Sequence, residues 1–149
     1  MSTLATPLKE RAMSKEASEG SPRILVVDDD AFVREILEFV LQAADYLVET
    51  AESGAEALEK CLSGQGIDLI VSDLNMPGMS GLELTRELRK NNVDVPIIVL
   101  TGESEISAAE KVLASGANGC LVKDEDIQET ILVALEKAVK EYRAKKGSG

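Results

Sequence analysis

Four short aliphatic runs constrain the fold most: Ile24–Val27, Leu69–Val71, Ile97–Leu100 and Leu121–Val122. They are rich in Ile and Val and do not alternate with polar residues. A strand with one wet face alternates, whereas a strand covered on both faces does not. These runs therefore predict strands of a parallel sheet, with a weaker strand over Leu47–Thr50. Helical stripes lie between them. Phe32, Val33, Ile36, Leu37, Val40 and Leu41 form one, and Ile127, Ile131, Leu135, Ala138 and Tyr142 form another. Helix starts are marked by Ser53 with Glu56, Ser80 with Glu83 and Asp126 with Glu129, and Asp30 caps the first helix. The order is strand then helix, five times. Right-handed crossovers then place helices on both faces of one sheet, an α/β architecture.

The 149 residues fit one domain. Residues 1–22, balanced in charge and without an apolar stripe, are expected to be a flexible arm. Residues 147–149, Gly-Ser-Gly, read as a tail. Residues 23–136 hold twenty-three acids and eight bases, a net charge of −15, while residues 137–149 carry +4. An acidic body argues against a nucleic-acid surface, which needs clustered Lys and Arg. No apolar run is long enough to span a membrane, so no membrane insertion is expected. Histidine is absent, which removes imidazole acid–base chemistry and His metal ligands together. Cys61 and Cys120 form no CxxC. Without an export signal they read as reduced thiols of a cytoplasmic protein.

The polar residues that end the strands carry the chemistry. Asp28 and Asp29 end the first strand, Asp73 the third, Thr101 the fourth and Lys123 the fifth. An open parallel sheet binds ligands at this carboxyl edge. Asp28 and Asp29 beside a third acid are poorly explained as helix caps alone, although Asp30 is explained well in that way. Three carboxylates gathered together need a cation. A hard divalent ion with oxygen ligands, such as Mg²⁺, meets the requirement. A carboxylate is also a competent nucleophile toward phosphorus, with a metal, a lysine and a hydroxyl to stabilise the transferring group.

The stretches Arg23–Asp30, Asp73–Gly81, Leu100-Thr101-Gly102 and Val122-Lys123 resemble the receiver domain of two-component response regulators, over about residues 22–146. The resemblance implies a flavodoxin-like (βα)5 three-layer sandwich with a five-stranded parallel sheet of order 2-1-3-4-5. It implies Asp73 as phosphoacceptor. It implies Mg²⁺ held by Asp29, Asp73 and the backbone carbonyl of Asn75, with Asp28 acting through water. Thr101 and Lys123 would contact the phosphoryl group, and Asn75 and Glu103 would tune dephosphorylation. The donor would be a phosphohistidine on a sensor histidine kinase or a histidine phosphotransfer protein, and the output a downstream protein.

Two positions depart from the family pattern. Asp124 stands where Pro usually follows the lysine, and Cys120 stands where the switch residue is commonly Tyr or Phe. Asp124 thus becomes a competitor for Lys123, and an aromatic-rotamer switch is impossible. The chain ends at residue 149 with no DNA-binding output segment, so output is expected through protein contacts or onward phosphotransfer in a relay. A receiver belonging to a larger regulator is the alternative. An aspartate-nucleophile phosphatase would need a second Asp two residues past the nucleophile, where this chain has Asn75. A phosphorylation-independent scaffold would need a broken site, and this one looks complete.

Overall fold

Arg23–Val27 forms β1, the first of five parallel strands in the computed structural model, which describes residues 20–148. The others are β2 (Leu47–Ala51), β3 (Leu69–Asp73), β4 (Ile97–Thr101) and β5 (Gly119–Val122). The helices are α1 (Ala31–Ala43), α2 (Gly54–Leu62), α3 (Gly81–Lys90), α4 (Ala109–Ala114) and α5 (Ile127–Ser148). The strand order is β2-β1-β3-β4-β5, as the resemblance implies. Most of the stretch expected to be an arm, residues 1–19, lies outside the described residues. Helical backbone continues through residue 148, two residues into the stretch read as a tail; helix ends fray, so the two descriptions overlap.

The three central strands are buried on both faces, and their side chains divide the core in two. Leu25, Val27, Ile70, Ile97 and Val99 point to the face that α2, α3 and α4 cover through Ala57, Leu84, Leu88 and Val112. Ile24, Val26, Leu69, Val71, Ile98 and Leu100 point to the face covered by Leu37 and Leu41 of α1 and Ile131 and Leu135 of α5. Each edge strand, β2 and β5, is only part-buried.

The expected caps are largely in place. Asp30 accepts from the backbone N–H groups of Phe32 and Val33, and Ser53 from that of Glu56. Ser80 and Glu83 satisfy each other's backbone N–H groups at the start of α3. The chain after β4 departs from the simple repeat. It forms a 3₁₀ stretch, Glu103–Ala108, broken at Glu105, before the six-residue α4. Neither piece has a side-chain cap and the 3₁₀ stretch buries no residue, so little packing energy holds it as regular helix. Among the described residues no helix is long and apolar enough to cross a membrane.

Candidate functional site

Parallel register brings the polar strand ends to one edge. Val27 pairs with Ser72, Asp73 with Leu100, and Thr101 with Val122. The N–H of Asp28 still donates to Ala51, which keeps this residue on the sheet and only 2 % exposed. Asp29, one step further, is exposed. Asp73 is buried as the last residue of a fully buried strand, and Thr101 is buried beside it. Gly81 lets α3 start directly against this edge: a Cβ there would stand 2.4 Å from the Asp73 carbonyl oxygen.

Lys123 closes the cluster. Its N–H donates to the Thr101 carbonyl at 2.8 Å, and its ammonium lies 2.7 Å from Asp73 Oδ1 and 3.8 Å from Asp28 Oδ2. One carboxylate oxygen each from Asp28, Asp29 and Asp73 can be chosen so that all lie within 4.8 Å of one another. Burial pushes the Asp73 carboxyl above the ordinary carboxylate range, against the opposing pull of Lys123. Burial does the same at Asp28, opposed by the N–H of Asp30 and reinforced by Asp73. Burial alone would lower the Lys123 ammonium, but its bond to Asp73 and the charges of Asp73, Asp28 and Asp29 raise it overall.

This arrangement fits a divalent cation. Asp28 Oδ2 is buried without a hydrogen-bond partner among the described residues, and the Lys123 ammonium contacts it only at ion-pair range. A buried acceptor left unpaired is costly, and hard oxygen donors suit a small hard ion.

The remaining expected residues lie around this core. The Thr101 hydroxyl has two acceptors in reach, the carbonyls of Gly102 at 3.2 Å and Glu105 at 3.3 Å. Asn75 is exposed on the loop after β3, and its side-chain amide donates to the carboxylate of Glu105. Glu103 is exposed. Glu105 is therefore the acid that meets Asn75, a contact that neither spacing nor resemblance singled out. Its only sequence signal is an acid shortly after Thr101. Cys120 is half-buried on β5 against the core that includes Val99, and burial raises its thiol pKa. Asp124 does not engage Lys123: its carboxylate accepts from the N–H of Asp126 at 3.0 Å, shaping the turn into α5. Arg34 adds a clamp unseen in the sequence, donating to the Asp28 carbonyl at 2.6 Å.

A five-stranded parallel sheet in this order defines a flavodoxin-like fold, here with an acidic cluster and a lysine at its carboxyl edge. The response regulator receiver domain family matches residues 24–135, and the chain belongs to that family. The response regulator MprA of Mycobacterium ulcerans is 43 % identical over 111 residues, 74 % of this chain and 47 % of that protein. The DNA-binding transcriptional regulator NtrC of Escherichia coli is 37 % identical over 120 residues, 80 % of this chain and 25 % of that protein. The chain thus spans a quarter to a half of the length of these relatives. Among solved structures, the chemotaxis protein CheY4 of Vibrio cholerae superposes with a TM-score of 0.73 at 37 % identity, covering 80 % of this chain and 99 % of that one.

Proposed function

We propose that this chain is a phosphorylation-switched signalling receiver with Asp73 as phosphoacceptor. The observation that carries the reading is the buried Asp73 carboxylate, held at 2.7 Å by Lys123 and flanked by two further acids. The donor is a phosphohistidine on a sensor histidine kinase or a histidine phosphotransfer protein. In the transfer the histidine N–P bond breaks, an O–P bond forms on Asp73, and the imidazole leaves with the nitrogen lone pair. No proton has to be abstracted, so the absence of histidine from this chain costs the reaction nothing.

Asp28, Asp29, Asp73 and the Asn75 backbone carbonyl are the residues that would hold Mg²⁺. Bound Mg²⁺ offsets the negative charge that gathers when a phosphoryl group meets three acids. Lys123 pairs with Asp73 at rest and with a phosphoryl oxygen afterwards, and Thr101 supplies a hydroxyl donor to the same group. Asn75 and Glu103 lie where side chains tune loss of the phosphoryl group. Thr101 and Cys120 occupy the two switch positions. Cys120 contributes only a small side chain, so no aromatic ring transmits the movement of Thr101. Receiver residues 23–146 work in the cytoplasm and signal through contacts with a downstream protein. The chain acts as a self-catalysing phosphoacceptor rather than an enzyme with turnover.

Labelling with acetyl phosphate tests this. Wild-type protein is expected to incorporate phosphate on Asp73 in Mg²⁺ and not in chelator, and Asp73→Asn is expected to incorporate none. Equal labelling of Asp73→Asn in Mg²⁺ would remove the assignment.

A further inference from the structure

Two hydrogen bonds converge on Glu105, one from the loop after β3 and one from the end of β4. Its carboxylate accepts from the Asn75 side chain, on the loop after β3. Its carbonyl lies 3.3 Å from the Thr101 hydroxyl, at the end of β4. Glu105 is also where the 3₁₀ stretch breaks, with φ −120° and ψ 21°. The neighbouring Ile106 is 54 % exposed, so no burial anchors this loop there.

We propose that Glu105 is the positioning residue that latches the site in its resting state, an inference that rests on the reading of Asp73 as phosphoacceptor. A hydroxyl has one proton to give. When Thr101 gives it to a phosphoryl oxygen, it can no longer give it to Glu105 or Gly102, and the loop loses its tie to β4. The Glu105 carboxylate adds a second tie, to the Asn75 side chain on the loop after β3, and the loop must give up that tie to move away with Thr101. Glu105 therefore favours the resting conformation and opposes the phosphorylated one. Removing its side chain favours the phosphorylated conformation, because a ligand's apparent affinity rises with the population of the state it binds.

The test is isothermal titration of the full chain with beryllofluoride in saturating Mg²⁺, for wild type, Glu105→Ala, Glu105→Gln, Asn75→Ala and the Asn75→Ala, Glu105→Ala double variant. Glu105→Ala should bind beryllofluoride about fivefold more tightly, a typical coupling between a site and a two-state element. Glu105→Gln, which keeps an acceptor for Asn75 without the charge, should fall between Glu105→Ala and wild type. The double variant should bind no more tightly than Glu105→Ala, because partners in one contact are not additive. A merely structural glutamate would lower the melting temperature of the unliganded protein and leave the affinity where it was. Unchanged or weaker affinity in both Glu105 variants, or additive effects with Asn75→Ala, overturns the latch while wild-type binding and Asp73 labelling leave the receiver reading standing. Absence of beryllofluoride binding by wild type, with no labelling of Asp73, overturns both.

Discussion

Asp73 and Thr101 end adjacent strands and are both buried, yet the chain leaving them is built in opposite ways. After Asp73, the N–H of Leu74 donates to Leu100 at 2.8 Å, Leu74 and Met76 are buried, and the N–H of Gly81 returns to Leu74 at 2.8 Å. A reciprocal capping box then starts a ten-residue helix whose Leu84 and Leu88 are fully buried. After Thr101 come an uncapped 3₁₀ stretch and a six-residue helix that buries only Val112. Asp73, the proposed acceptor, stands on rigid ground, and Thr101, proposed to sense its modification, opens onto a loosely held crossover. Low local stability is where moving elements are drawn from. A side-chain hydrogen bond from Asn75 to Glu105 links the two loops.

The contrast has a direct energetic test. Leu84→Ala on the acceptor side is expected to cost about 2–5 kcal/mol, the usual range for emptying a fully buried leucine site. Ile106→Ala on the crossover is expected to stay within about 0.5 kcal/mol, as for surface substitutions generally. Urea denaturation of both variants measures this, and comparable losses would erase the distinction between the two regions.

A second, smaller effect concerns the acidic cluster itself. Burial raises the folded-state pKa of Asp28 above its ordinary 3.8. The folded state therefore holds that proton more tightly than the unfolded chain does. The stability this group contributes is fully present below its unfolded pKa and is lost as pH rises through the raised folded value. In chelator, wild type should lose stability across that window relative to Asp28→Asn, and the variant should be the more stable at neutral pH. Parallel stability-against-pH curves for the two proteins would show that Asp28 is not under strain, and would weaken the case for a cation there.

Most of the architecture was legible because buried parallel strands leave a plain mark. Ile24–Val27 and Ile97–Leu100 can be read as strands without knowing their neighbours, and Asp28, Asp73, Thr101 and Lys123 follow once the strand ends are known. What escaped was of another kind. The Glu105 contact joins residues thirty apart in sequence across two loops, and no periodicity announces it. Asp124 read as a rival for Lys123, yet a short polar side chain next to a turn is better placed to bond its own backbone, as it does with Asp126. The strand-then-helix order, repeated five times, implied a single helix in the fourth crossover. Its acidic, uncapped first turn instead relaxes into 3₁₀ geometry.

Amide hydrogen exchange, with and without beryllofluoride and Mg²⁺, tests the division between a fixed acceptor and a responsive crossover most directly. At rest, amides of residues 69–74 should be strongly protected and those of residues 102–108 should exchange rapidly. Beryllofluoride should change exchange in residues 101–108 while leaving β3 as it was. A change confined to the acceptor loop, or spread evenly over the sheet, would contradict the account.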